Sequence, residues 1–260
     1  MKIYQVDAFA EKMFQGNPAA IVPLKNWLPD DLMQRIAMEN NLAETAFTVP
    51  VKTRYAIRWF TPTVEVELCG HATLAAGHVF FEHEGFDGNE IIFESMKRGL
   101  LKVIRGENGT NILDFPSIIP EKADALPVLF EALHLPPSTL WKGPFDYLVK
   151  LDSQAQLEAL QPDFSLLATT PGRGVIVTAK GEDCDFVSRC FFPQSGIDED
   201  PVTGSAHSML IPFWAGLTGK TKMKAVQLSK RKGFLDCELS GDRVLIGGKA
   251  ITYLVGNISV

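Results

Sequence analysis

The chain has 260 residues with 25 Lys and Arg against 31 Asp and Glu, a formal net charge of −6. That balance excludes nucleic acid as the main partner, because phosphate contacts need a basic surface. Hydrophobic residues at 46% and charged residues at 22% mark a folded globular chain, long enough for one large domain or two of about 130 residues. No apolar run reaches the length of a membrane helix, and the start MKIYQVDAFAEKMFQGN lacks the charged and apolar regions of a signal peptide. A cytoplasmic protein with no membrane partner is expected. Cys69, Cys184, Cys190 and Cys237 form no CxxC and no tight framework, so they read as reduced thiols.

In chain order, residues 3–9 (IYQVDAF) alternate as a strand does, and the Asn17-Pro18 pair is a turn signal. Residues 28–41 (LPDDLMQRIAMENN) have a helical start at Pro29, Asp30 and Asp31 and an apolar face at Leu32, Met33 and Ile36. YAIRWF (55–60) reads as a strand that stops near Pro62. HATLAAGHVFFEH (71–83) is small near its start and apolar nearly all round, the pattern of a buried helix. Residues 91–93, 100–104 and 111–115 look like strands. Pro116, Pro120, Pro127 and the polar stretch EKADA (121–125) mark a boundary. Beyond it, residues 153–161 are expected as a helix matching the first half's, and 174–178 and 186–192 (FVSRCFF) as strands. SAHSMLIPFWAGL (205–217) is a second buried helix that Pro212 should kink or shorten. Residues 244–254 complete the strands.

The two halves are copies. Arg58-x-Phe60-x-Pro62 matches Arg189-x-Phe191-x-Pro193 at an offset of 131, and Gly70-x-Ala72 matches Gly204-x-Ala206 at an offset of 134. The second copy therefore carries three extra residues, in the region of Asp198, Glu199 and Asp200. Such a repeat sets the fold reading: two similar halves, each wrapping strands around a buried helix, would bring both helix N-termini to a shared cleft. Free backbone N–H groups at such starts attract anions, and small residues let a ligand approach closely.

FQGNPAAIV (14–22), NLAETAF (41–47), CGHATLAAGH (69–78) and GIDEDPVTGSAH (196–207) together resemble the phenazine-biosynthesis PhzF-like family over essentially the full chain. The resemblance implies an α+β, diaminopimelate-epimerase-like fold of two pseudo-symmetric halves, each a mostly antiparallel barrel around a central helix. The halves are expected as residues 1–117 plus 246–260 and residues 118–245. It implies isomerisation by proton transfer without cofactor or metal, on a small cyclic or unsaturated carboxylate, by a homodimer. The family's best understood member isomerises a dihydro-hydroxyanthranilate, and its glutamate matches Glu44. Supporting residues match His71, Asp200 and Ser205, and Asn17 matches a position near the substrate cleft.

The residue chemistry is consistent with those roles. A carboxylate is a poor base toward carbon at neutral pH unless an apolar setting raises its pKa, and Glu44 lies between Leu42-Ala43 and Ala46-Phe47. Asp200 and His71 supply further proton donors and acceptors, and whether they act chemically or position the substrate stays open at this level. Backbone N–H groups at Gly70-His71 and Gly204-Ser205 can hold a carboxylate and stabilise enolate-like charge. Bland alternatives stand beside each: Asp200 before Pro201 suits a helix cap, as does Ser205, and His78 and His207 read as structural. Epimerases of this fold use two opposed cysteines. Here the first position is Cys69 but its repeat partner is Thr203, a hydroxyl far too weak an acid to replace a thiol. Two other functions remain: a racemase or epimerase using Cys69 with a carboxylate partner, and a ligand-binding or regulatory protein without turnover. No phosphate-binding glycine loop of the GxxxxGK[ST] or GxGxxG kind is present.

Overall fold

In the computed structural model, which describes residues 1–260, the chain divides into two units. The first is Met1–Phe115 with Leu245–Val260, and the second is Pro116–Val244. No helix is long and apolar enough to cross a membrane.

The first unit runs β1 (Lys2–Ala8), β2 (Asn17–Pro23), α1 (Asp30–Asn40), β3 (Glu44–Val51), β4 (Arg54–Phe60), β5 (Glu65–Val66), α2 (Gly70–Glu82), β6 (Glu90–Ser95), β7 (Gly99–Arg105) and β8 (Thr110–Pro116). Neither β2 nor β3 shows the alternation that marks strands in the sequence. They pair in parallel and bury nearly every residue from Asn17 to Val22 and from Thr45 to Val49. Strands covered on both faces read as continuous apolar runs instead. The rest is largely antiparallel: β1 with β2, β3 with β4, β6 with β7 and β7 with β8. Helix α2 runs through the core, with all its residues buried except His78 and Glu82. Its Ala-rich N-terminal half fits where larger side chains would not. Helix α1 buries Met33, Ile36 and Ala37; Leu32, expected on the apolar face, stays half-buried.

The second unit comprises β9 (Glu121–Ala123), α3 (Pro127–Ala132), β10 (Leu140–Lys142), β11 (Asp146–Lys150), α4 (Gln154–Glu158), α5 (Phe164–Leu167), β12 (Gly174–Lys180), β13 (Phe186–Phe192), β14 (Ile197–Asp200), α6 (Gly204–Thr218), β15 (Lys222–Gln227) and β16 (Gly233–Ser240). Strand β17 (Arg243–Asn257) then pairs Ala250–Asn257 antiparallel with β1 of the first unit. β11 and β12 are parallel, β12 and β13 antiparallel, repeating the β2–β3–β4 arrangement. The polar stretch at 121–125 is not a connector. It contains β9, which pairs with β10 inside this unit. The helix expected over 153–161 is shorter than its sequence pattern, spanning only Gln154–Glu158, with Ser153 accepting from the Gln156 N–H as its cap.

Pro212 does not shorten α6, which runs 15 residues through it. Proline cannot donate to the carbonyl four residues back, which here is Ser208. The Ile118 N–H takes that place, 2.9 Å from the Ser208 oxygen. With its orphaned carbonyl satisfied from a neighbouring segment, the helix continues.

Candidate active site

Four sequence-selected residues meet in the first unit. At the entry to β2, Gly16 has φ +67°, and an added Cβ would lie 2.1 Å from the Ala8 carbonyl oxygen. Only glycine permits that approach, and it delivers Asn17, fully buried, as the first residue of β2. Glu44 opens β3 directly across from Ala19. Cys69 precedes α2 in extended conformation with no side-chain cap bond. Its carbonyl accepts from the Thr73 hydroxyl at 2.6 Å, so Gly70 and His71 begin the helix. His71 is buried.

The polar atoms converge on the imidazole. Asn17 Nδ2 lies 3.1 Å from His71 Nδ1. An amide nitrogen can only donate, so Nδ1 accepts and the neutral ring carries its proton on Nε2. That nitrogen stands 3.1 Å from Glu44 Oε2, close enough for proton exchange but not lined up as a hydrogen bond. Catalytic contacts often tighten only when a ligand binds. The Cys69 sulfur lies 3.5 Å from His71 Nδ1. Glu44, Cys69 and His71 each offer one ligand atom, all within 4.8 Å of one another. Three such donors match the protein share of an open zinc site, although here the imidazole's two nitrogens face Asn17 and Glu44.

The other predicted residues, Asp200, Gly204 and Ser205, lie in the second unit around the start of α6. Asp200 ends β14, and Thr203 precedes α6. The Thr203 hydroxyl donates to Asp200 Oδ2 at 2.6 Å, so the residue at the position of an epimerase's second cysteine is committed to a carboxylate. Gln227, fully buried on β15, ties the turn together. Its Nε2 donates to the Asp200 carbonyl at 2.8 Å and to Thr203 Oγ1 at 3.2 Å, and its Oε1 accepts from the Thr203 N–H at 2.8 Å. Glu199 is not an ordinary loop acid, because Arg189 grips it with two bonds, of 2.7 and 2.9 Å. Asp198 alone of the three acids is exposed.

Sequence reasoning missed Gln227 and also Arg173, which donates to Ser205 Oγ at 3.1 Å. Gln227 carries no local signal. Arg173 carries a weak one, as a lone cation between Gly172 and Gly174 immediately before a strand. The two structural histidines behave as read: His78 Nε2 bonds the Thr252 hydroxyl at 2.9 Å, and His207 Nδ1 donates to the Thr203 carbonyl at 2.9 Å.

Residues 6–256 match the family model for phenazine biosynthesis-like proteins, PhzC-PhzF. The chain belongs to that family. Among its relatives is an uncharacterized isomerase of Pseudomonas aeruginosa, 48% identical over 258 residues, 99% of this chain and 98% of the relative. The crystal structure of a PhzF-family phenazine biosynthesis protein from Enterococcus faecalis superposes with a TM-score of 0.96 at 46% identity, covering 100% of this chain and 99% of that one. A probable proline racemase from Agrobacterium radiobacter aligns at 11% identity with a TM-score of 0.66, over 100% and 93% of the two chains, a likeness of fold alone. The fold is therefore the α+β, diaminopimelate-epimerase-like one: two pseudo-symmetric halves, each a mostly antiparallel barrel around a central helix.

Proposed function

We propose that this PhzF-family chain is an isomerase that moves a proton on a small cyclic or unsaturated carboxylate without a cofactor, with Glu44 as the group that carries the proton. One observation supports this above the others: a largely buried carboxylate at the start of β3, 12% exposed, with the Nε2 of an imidazole 3.1 Å from its oxygen. In the reaction Glu44 takes a proton from one carbon of the substrate, the electron pair shifts into the neighbouring double bond, and Glu44, whose proton exchanges with solvent while it is held, delivers a proton at the far end of the conjugated system. The product has the substrate's composition, so nothing beyond the acid is required. His71 stays neutral with its proton on Nε2, steadies the ionised Glu44 and can donate to charge developing on the substrate. Asn17 selects that tautomer. Asp200, Gly204 and Ser205 are assigned to ligand binding in the second unit.

Incubation in deuterated buffer with dihydro-hydroxyanthranilate and related cyclic, unsaturated carboxylates tests the assignment. Wild-type protein is expected to incorporate deuterium at carbon into at least one of them. Glu44→Gln is expected to lower that rate about 10²–10⁴-fold, the weight of a general acid–base group. Exchange at full rate in Glu44→Gln would sink the role of Glu44. A Cys69→Ala variant distinguishes the thiol-based epimerase: retained exchange there supports the carboxylate.

A further inference from the structure

A serine hydroxyl has one hydrogen to give and two lone pairs to accept with. At Ser205 one lone pair is taken, since Arg173 Nη2 donates to Oγ at 3.1 Å. The hydroxyl hydrogen has no acceptor in the protein. Ser205 is half-buried and lies beside the N–H groups that begin α6.

Arg173 is held through its backbone N–H, its Nε and its Nη2. Its backbone N–H donates to the Phe145 carbonyl at 2.7 Å, its Nε donates to Asp146 Oδ1 at 2.8 Å, and its Nη2 also donates to Asp146 Oδ2. The guanidinium lies over the Phe192 ring, 5.1 Å from its centre. Asp146 is buried and opens β11, opposite Gly174 at the head of β12. Burial weighs against the guanidinium's charge, but the bonds to Asp146 and the fields of Asp146 and Asp200 outweigh it and hold Arg173 above the ordinary arginine value. A cation so paired offers a ligand little net charge. Its distinct contribution is a rigid donor aimed at one oxygen.

We propose that Arg173 is a positioning residue: backed by Asp146, it donates to the oxygen of Ser205 and holds that side chain so that its hydroxyl hydrogen is left for a ligand, selecting a carboxylate over a neutral amide. This rests on reading Ser205 as a ligand-binding residue. Hydrogen bonds in series polarise one another, so a hydroxyl that accepts from a guanidinium is a stronger donor to an anion. An amide carbonyl, a weaker acceptor, gains less.

The test uses the full chain, with benzoate as the anionic probe and benzamide as its neutral counterpart, followed by the amide NMR signals of Gly204 and Ser205. Wild-type protein is expected to favour benzoate. Arg173→Met and Ser205→Ala are each expected to weaken benzoate binding about tenfold, the lower range for a hydrogen bond to a charged group, and to leave benzamide unchanged. The double variant Arg173→Met/Ser205→Ala is expected to bind no worse than Ser205→Ala alone, because Arg173 acts only through that donor. Arg173→Lys is expected not to rescue, since an ammonium cannot hold Asp146 bidentately and reach Ser205 together. If Arg173→Met unfolds around an unpaired Asp146, Arg173→Met/Asp146→Asn replaces it. Multiplying losses in the double variant would show Arg173 touching the ligand itself and overturn the proposal. So would unaltered benzoate binding in Arg173→Met, or a wild-type response to benzoate no greater than to benzamide. These constants do not depend on proton transfer, so a failed Glu44 assignment would leave them standing.

Discussion

The start of α2 and the start of α6 are repeat-related, with Cys69 against Thr203, Gly70 against Gly204 and His71 against Ser205. Both N-caps are extended, at φ −139°, ψ 109° and φ −110°, ψ 94°, and neither has a side-chain cap bond. Four residues on, Thr73 and His207 each bond back to the N-cap carbonyl. The backbone is duplicated but the chemistry is not. In the first unit β3 brings Glu44 to the helix start; Thr45 faces Phe60 there, as Val175 faces Phe191 in the second. That register sets Gly174 where Glu44 stands. An added Cβ at Gly174 would lie 2.2 Å from Phe192 Cδ1 and 2.4 Å from the Phe191 carbonyl oxygen, so no acid can occupy that place. The second unit instead has Arg173 one residue earlier. One copy holds a carboxylate and an imidazole in contact; the other holds hydroxyls fixed by Gln227 and Arg173. Duplication conserved the frame, and the two ends were furnished for different tasks.

The largest expected effect comes from erasing this difference. His71→Ser gives α2 the residue of α6, removes the N–H facing Glu44 and is expected to lower deuterium exchange about 10²-fold or more. The reciprocal Ser205→His is expected to create no exchange in a Glu44→Gln background, because Gly174 leaves it without a carboxylate at that register. Exchange restored there would show that the two starts are chemically interchangeable.

The next effect is on stability. Burial pushes His207 down to about 4, and its Nε2 has no hydrogen-bond partner. The unfolded chain takes up this proton near pH 6.5 and the folded one only near 4. The contribution is therefore complete above pH 6.5 and is lost as pH falls toward 4, a change of about 3 kcal/mol. Thr73, the counterpart in α2, does not titrate. The first unit has a half-buried histidine at His78, pushed down to about 4 mainly by burial, but a hydroxyl partner remains to it. Urea unfolding at pH 7, 5.5 and 4.5 is expected to show a shallower acid loss in His207→Gln than in wild type. Equal slopes would remove His207 from the account.

Much of this was legible in the sequence, and what was not has common causes. The repeat, both central helices and most antiparallel strands carry local patterns that burial of one face imposes. Strands β2 and β3 do not, because parallel strands buried on both sides lose alternation. Pro212 misleads because its cost depends on Ile118, remote in sequence, satisfying the Ser208 carbonyl. Glu44 is an unremarkable acid locally; its contact with His71 is created by the fold and was anticipated only through family resemblance. Arg173 and Gln227 act on a turn roughly 30 residues away, and no spacing rule connects them. DEDP shows the limit most plainly. Counting back from Gly204 at the helix offset aligns Glu199 with Glu65, so this acid belongs to the repeat, while Asp198 and Asp200, aligned with Val64 and Val66, are new.

That alignment sets up the smallest effect. Arg58 lies 5.2 Å over Phe60 and holds Glu65 through two bonds of 2.7 Å; Arg189 lies 5.1 Å over Phe191 and holds Glu199 likewise. The surroundings differ. Arg58 has a second acid, Asp30, at 2.8 Å, and Glu65 is 37% exposed. Arg189 instead donates to the Leu157 and Leu160 carbonyls at 3.2 and 2.7 Å, and Glu199 is 20% exposed. Removing Glu65 leaves Arg58 with Asp30 and water, so Glu65→Gln is expected to cost under about 1 kcal/mol. Removing Glu199 leaves a guanidinium with only carbonyls to neutralise it, and Glu199→Gln is expected to cost about 2 kcal/mol. Chemical denaturation of the two variants side by side measures the difference. Equal costs would mean that the backing of each arginine matters less than the pair itself, whereas the expected inequality assigns Glu199 to holding β14, and with it Asp200, in place.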